Sequence, residues 1–394
     1  MRLYLLLAGA FAVRTVLVIQ GGQYYWPDER LYRVSQAAAE CLVQGDAACA
    51  MRTVVRPEHT LFGAIGVAPA LVEQYLGANS RIPALFFASF SVISIWIVAQ
   101  IARRLGADET EVLVTAMLLV CSTSWTYYSR HLLPYDVSIA FALLGLLLAV
   151  QNPAHRVSLW ACGASCAAAF LSYSGSWALV AFTLSTPVFL QSQTVLQRVL
   201  TATKVVGGFF IPVLALFIGS ALAGRSLLAD YLAFARTVTQ GSFAEGWSLP
   251  FAYLWHAEHG IAVLWFACLV LAAMSVRSSP LRSKLAVAGV LCVYGLLVLL
   301  SVVAGVFVVY GRTARQLVPL LCLVTAEQLR RASNLGWLRR RVLLPLILLQ
   351  ALLNLNVPLT QVFPTASGKK HAPEPHPRTR CSYTRTTFTR SRNL

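Results

Sequence analysis

Charge is scarce in this chain, and negative charge is scarcest. Of its 394 residues only 12% are charged, and 15 acidic side chains stand against 32 lysines and arginines. A soluble domain carries about 25% charged residues, so ordinary packing in water is excluded. The nine cysteines contain no CxxC pair and no Cys/His spacing of a zinc site. Cys121, Cys162, Cys166, Cys268, Cys292 and Cys322 lie in or beside apolar runs, where the thiol acts as a small hydrophobe. No Gly-rich loop of the nucleotide-binding kind is present, and no internal repeat of the kind that builds inverted-repeat transporters. The apolar stretches do not alternate in segments of about ten residues, which argues strongly against a membrane barrel.

What is there is a series of continuous apolar runs of about the length a bilayer needs. The first ends near Gly22. Ala8-Gly9-Ala10 resembles a signal cleavage site, but Arg14 and the length of the run argue for a retained first helix. Further runs fall at 82–102, 111–128, 135–151, 157–173, 177–192, 205–223, 259–276, 285–310, 314–329 and 342–363. The predicted fold class is therefore an all-α polytopic membrane protein with about eleven transmembrane helices. With the N-terminus inside, every short inner connection is basic: Arg103-Arg104, Arg156, Arg198 with Lys204, Arg277 with Arg282 and Lys284, and Arg330-Arg331 with Arg339-Arg340-Arg341. This positive-inside pattern accounts for the net charge of +17 as topology and contact with anionic lipid, so no nucleic-acid partner is expected.

Three segments fall outside on this topology. The first, 23–81, is long and polar. The second runs from Tyr127 to Pro134. The third, 224–258, mixes aromatics, glycine and charge. Interfacial helices are expected in the first and third. Cys41 and Cys49 share the first segment, where a disulfide and a pair of free thiols are both open readings. Residues 1–366 are read as one membrane-embedded unit. The Pro-, Thr- and Arg-rich stretch 367–394 is read as a disordered basic tail. An odd number of spans puts that tail outside, against its charge.

The sparse acids are placed unevenly. WPDER sets Asp28 beside Glu29 just after the first helix. Adjacent carboxylates repel, and desolvating them costs several kcal/mol unless cations or donors compensate. One reading is a Pro-started helix whose N-terminal end favours both acids. The other is a base at the outer face, taking a proton from an acceptor as it attacks a sugar. The second outer segment, TYYSRHLLPYDVS, adds Arg130, His131 and Asp136 on the same side, although Asp136 also suits a helix cap. An acid to activate an acceptor and cations to hold a phosphate leaving group are the minimum for sugar transfer from a lipid phosphate, and the planar fork of arginine suits phosphate.

In order along the chain stand PDE, RPEHTLFGAI, SRIPALFFASFSVISIWIVAQIARRLGADETE, YYSRHLLPYD and, farther on, VYGRTARQLVPLL. This ordered set resembles the C-type membrane glycosyltransferases, and most closely the branch of protein O-mannosyltransferases and lipid A aminoarabinose transferases. The resemblance is fullest over the first 150 residues or so. It implies Asp28, with Glu29 beside it, as the base or acceptor-positioning acid and Asp136 as the second acid of the site. It implies Arg56, Arg130 and, more loosely, Arg236 as contacts to the donor phosphate. Glu58 stands where relatives carry the second proline after the residue matched by Arg56. Tyr310 and Arg312 are looser candidates. His59 and His131 are candidates to tune proton transfer, against the plainer reading of solvated loop histidines.

The implied reaction is inverting transfer from a polyprenyl-phosphate-linked sugar to a lipid, glycan or protein acceptor at the outer face, by a hexosyl- or pentosyltransferase. No cofactor is required. The wider superfamily admits a divalent metal, but no metal ligand set is expected here, and HAEH at 256–259 is too little to make one. Tyr24, Tyr25 and Trp26 read as interfacial aromatics. An Ala- and Leu-rich chain with more Arg than Lys points to a bacterial cytoplasmic (inner) membrane, with the endoplasmic reticulum as the alternative. The competing functions are a transporter or flippase of lipid-linked sugars, which would place ionisable groups at mid-membrane, and a scaffold with a decayed site.

Overall fold

The computed structural model describes residues 1–24, 26–55, 59–151, 156–191, 194–222, 224, 226–239, 247–303, 311–334, 349–350 and 353–354. Among these every regular element is helical. Helix α1 (Arg2–Gln20) stops where Gly21 and Gly22 take positive φ. A 3₁₀ turn at Pro27–Leu31 leads into α2 (Tyr32–Val43), α3 (Ala47–Val54) and α4 (Thr60–Leu76). Helix α5 (Arg81–Arg104) is followed by α6 (Glu109–Cys121) and the short α7 (Thr123–Tyr128), then α8 (Tyr135–Val150), α9 (Arg156–Ser172), α10 (Trp177–Gln191) and α11 (Val195–Leu222). Next come α12 (Leu227–Thr239), α13 (Leu249–Glu258), α14 (Gly260–Met274), α15 (Leu281–Val303), α16 (Gly311–Ala314) and α17 (Val318–Asn334).

The protein is an all-α polytopic membrane fold. Arg2–Gln20, Arg81–Arg104, Val195–Leu222 and Leu281–Leu299 are long and apolar enough to cross a membrane by length and composition. Among the described residues five shorter apolar helices accompany them, so length alone does not establish the expected eleven spans. The run 111–128 is broken at Ser122, whose extended backbone ends α6 and whose hydroxyl accepts the Trp125 N–H at 3.2 Å to start α7. The run 342–363 and the tail 367–394 lie almost wholly or wholly outside the described residues. Segments 23–81 and 224–258, where helices are expected, contain α2, α3 and α4, and α12 and α13.

Helix α8 packs between α5 and α9, and α9 packs on α11. The α9–α11 approach depends on missing side chains. A Cβ at Gly163 would collide with the Val205 carbonyl, and one at Gly208 with the Trp160 carbonyl. Small residues let helices close in this way where water supplies no driving force. Phe210, Ile211, Leu214 and Ile218 of α11 are exposed, as expected of a face turned to lipid.

The two ends of the bundle differ chemically. At one end buried Glu111 takes Arg282 Nε at 2.6 Å and Arg330 Nε at 3.0 Å. Asp108 caps α6 by accepting the Glu111 N–H, Arg103 forks onto Glu109 with two 3.0 Å bonds, and Arg331 pairs with Glu327. Arg315 stands just before α17 and Arg330 near its far end, and at about 1.5 Å per residue they are about 22 Å apart. The cluster around Arg315, described next, is therefore at the other end.

Removing Arg282 leaves Glu111 buried with one partner fewer. We expect Arg282→Ala to cost about 2 kcal/mol, read as a lower thermal midpoint of the purified protein. Lys at the same position, which keeps the charge but not the fork, should recover part of the loss.

Candidate active site

The adjacent acids of WPDER diverge. Pro27 starts a 3₁₀ turn, and within it Glu29 turns inward while Asp28 stays at the surface. Glu29 is fully buried. It accepts the Trp26 N–H at 2.9 Å and the Leu132 N–H at 2.8 Å, and His131 Nδ1 lies 3.3 Å away. One carboxylate thus fastens the segment after α1 to the segment between α7 and α8. His131 Nε2 accepts from Arg130 Nε at 3.3 Å, so its proton sits on Nδ1, facing Glu29. Burial pushes the His131 pKa down, and the Glu29 carboxylate opposes this.

Arg130 is buried too. Its guanidinium lies over the Tyr127 ring, 5.4 Å from the centroid, and burial lowers its pKa. Gly22 makes room for it: with φ of 94° it tolerates a conformation other residues rarely adopt, and a Cβ there would sit 3.2 Å from Arg130 Nη2. The double glycine after α1 is therefore part of how Arg130 is seated.

Asp28 meets different partners. Its side chain is 37% exposed. It accepts the Tyr135 hydroxyl at 2.6 Å and pairs with Arg312 Nη1, which also donates to Tyr135 Oη at 2.7 Å. The Arg312 guanidinium stands 5.6 Å from the Tyr135 ring centroid. Tyr173 lies edge-on to Tyr135 at 4.8 Å, and His59 lies against Tyr173 at 5.4 Å. His59 Nδ1 meets the Ser172 carbonyl at 3.0 Å, which fixes the proton on Nδ1 and leaves Nε2 with a lone pair. Burial pulls the His59 pKa down to about 4, against the Ser172 carbonyl and the Asp28 charge.

Asp136 opens α8 one residue beyond Tyr135 and is buried. Arg315 Nη2 reaches it at 2.5 Å. Arg315 is itself fully buried between the Trp125 ring at 5.1 Å and the Tyr128 ring at 4.8 Å. Arg14 is fully buried on α1 and donates to Ser91 Oγ and the Ala10 carbonyl, each at 3.0 Å.

The structure thus brings together Asp28, Glu29, Arg130, His131, Asp136, His59 and Arg312 at one end of the bundle. Arg236 is exposed in the last turn of α12. Arg56 and Tyr310 lie outside the described residues. Cys41 and Cys49 form a disulfide between α2 and α3, with Cα atoms 5.7 Å apart. Glu258 of HAEH is buried and bonded to Ser122, Thr123 and Ser124. Sequence reasoning missed Arg315, Tyr135, Tyr128 and Tyr173. RTARQ contained a signal for the first: Arg312 and Arg315 stand three apart, one helical turn, just before an apolar helix.

Fold and site together define a membrane-embedded helical protein with an acid–arginine–tyrosine cluster at one end. No protein-family model matches the chain, and no curated protein does. The fold matches that of ArnT from Cupriavidus metallidurans bound to undecaprenyl phosphate, with a TM-score of 0.62 and 14% identity over 93% of this chain and 67% of that one. The apo structure of the same protein matches with a TM-score of 0.60, at the same identity and coverage.

Two outcomes follow from the buried groups. Glu29→Gln puts an amide where the carboxylate accepts three donors, so it should cost about 1–3 kcal/mol, measured as a lower thermal midpoint. The folded pKa of His59 lies below its ordinary value of 6.5. Between about 6.5 and 4 the unfolded chain therefore binds the extra proton, and stability falls as pH falls through that window. Melting at pH 7 and pH 5 should show this loss, and His59→Asn should make it smaller.

Proposed function

We propose that the chain is a glycosyltransferase that moves a sugar from a polyprenyl-phosphate donor to an acceptor at the outer membrane face. The observation that carries this reading is Asp28: a half-exposed carboxylate held by Tyr135 and Arg312, within the fold of a protein that binds undecaprenyl phosphate. The basic connections at the opposite end of the bundle support the outward orientation, with the N-terminus inside.

In the proposed reaction the acceptor hydroxyl or amine hydrogen-bonds to Asp28. Its lone pair attacks the anomeric carbon as the bond from that carbon to the phosphate oxygen breaks. The proton passes to Asp28, and the electron pair leaves with the phosphate. A single displacement inverts the centre. We assign Arg312 to exchange its pairing with Asp28 for the donor phosphate, which at once stabilises the leaving group and uncovers the base. Arg130, Arg236 and Arg56 are the further cations assigned to the phosphate. Asp136 is assigned to the site as the acid that holds Arg315, and Glu29 as the acid that seats the loop carrying Asp28. We assign no cofactor to these steps. Residues 1–366 act as one unit in a bacterial inner membrane, with 367–394 as a basic tail, and the acceptor is a lipid, glycan or protein.

The test is transfer of labelled sugar from a polyprenyl monophosphate donor by the purified protein in nanodiscs. Asp28→Asn should lower turnover by about 10²–10⁴-fold with donor still bound. Equal rates in wild type and variant would remove Asp28 from the chemistry. Donor binding without transfer, over hexosyl and pentosyl donors alike, would favour a carrier of lipid-linked sugars.

A further inference from the structure

Away from the reacting acid, one buried carboxylate accepts four hydrogen bonds. Glu258 ends α13 and is fully buried. Its Oε1 accepts the Ser122 hydroxyl at 2.7 Å, the Ser124 N–H at 2.9 Å and the Ser124 hydroxyl. Its Oε2 accepts the Thr123 N–H at 2.8 Å. The donors all come from the break between α6 and α7. The Glu258 carbonyl accepts Asn354 Nδ2 at 3.0 Å, which closes the junction from a third side.

What the junction fixes bears on Arg312 and Arg315. Helix α7 carries Trp125 and Tyr128, the two rings that enclose Arg315. Helix α13 packs on α7 and on α16, and α16 carries Arg312. The Tyr253 and Tyr128 hydroxyls, 3.2 Å apart, join α13 to α7 beside Arg315. A side chain that sets where α7 and α13 meet therefore sets the walls behind Arg315 and Arg312. Removing its charge would leave two backbone amides and two hydroxyls facing an altered acceptor.

We infer that Glu258 is a positioning residue, latching the third outer segment to the α6–α7 break so that Arg312 is aligned for a polyprenyl phosphate and the Asp136–Arg315 pair is held in register. The inference rests on the transferase reading above. It differs from a purely structural role in its consequence, because the latch governs affinity for the lipid phosphate as well as stability.

The experiment uses the full chain in nanodiscs and undecaprenyl phosphate as the probe, with binding followed by native mass spectrometry and thermal midpoints measured alongside. Glu258→Gln and the double variant Ser122→Ala/Ser124→Ala should each weaken binding about tenfold, a change of about 1.4 kcal/mol. Glu111→Gln is the control: equally buried but at the other end of the bundle, it should lower the midpoint and leave affinity unchanged. Wild-type affinity in both latch variants would overturn the inference and leave the transferase reading standing. So would an equal loss in Glu111→Gln, since affinity would then track general softening. If Glu258→Gln does not fold, the serine double variant decides alone. A wild-type protein with no affinity for undecaprenyl phosphate would overturn the donor reading and the inference together.

Discussion

The pairing of Asp136 with Arg315 is the constraint around which the site end is built. Both groups are withdrawn from water, and a buried charge costs several kcal/mol unless an opposite charge and hydrogen bonds meet it. Meeting that demand fixes three elements at once. Asp136 stands in the first turn of α8, Arg315 in the turn before α17, and the rings that sandwich the guanidinium belong to α7. The next residue extends the arrangement: Gln316 donates to the Gly175 carbonyl at 2.9 Å and accepts the Leu179 N–H at 2.9 Å, which ties α10 to the same point. Such pairs add little net stability compared with apolar packing, but breaking one partner is costly, so they specify geometry more than they strengthen it.

Much of the fold was legible because lipid imposes a coarse rule. Backbone groups away from water must bond within a helix, so apolar runs of bilayer length mark helices even where their ends are uncertain. The runs at 82–102, 135–151 and 157–173 correspond to α5, α8 and α9. The break at Ser122 was not legible, since serine inside an apolar run reads as a tolerated polar residue until the distant Glu258 that bonds there is known. The site divides in the same way. Asp28, Glu29, Arg130, His131 and Asp136 stood out as charges in short polar segments. Arg315 did not, because its partner lies 179 residues earlier and sequence spacing carries no trace of such a contact. Tyrosines are equally opaque: interfacial aromatics are common in membrane proteins, and only three-dimensional placement separates Tyr135, bonded to Asp28, from the rest.

The acids at this end of the bundle share a chemistry and differ in what surrounds them. Glu29 is saturated by two backbone amides and His131, Asp136 is locked to a buried guanidinium, and Glu258 is filled by hydroxyls and amides. None of these has an open side from which a substrate proton can arrive. Asp28 has one. It is held by a phenol and by an arginine that is itself 27% exposed, so both carboxylate and cation reach the surface. A base must be ionised, accessible and held in place, and in most environments burial and accessibility conflict. Here the conflict is divided between neighbours in sequence. Glu29 takes the burial and anchors the turn, and the anchored turn holds Asp28 at the boundary without burying it. Two adjacent carboxylates are therefore not redundant: the inward one is what allows the outward one to be both fixed and exposed.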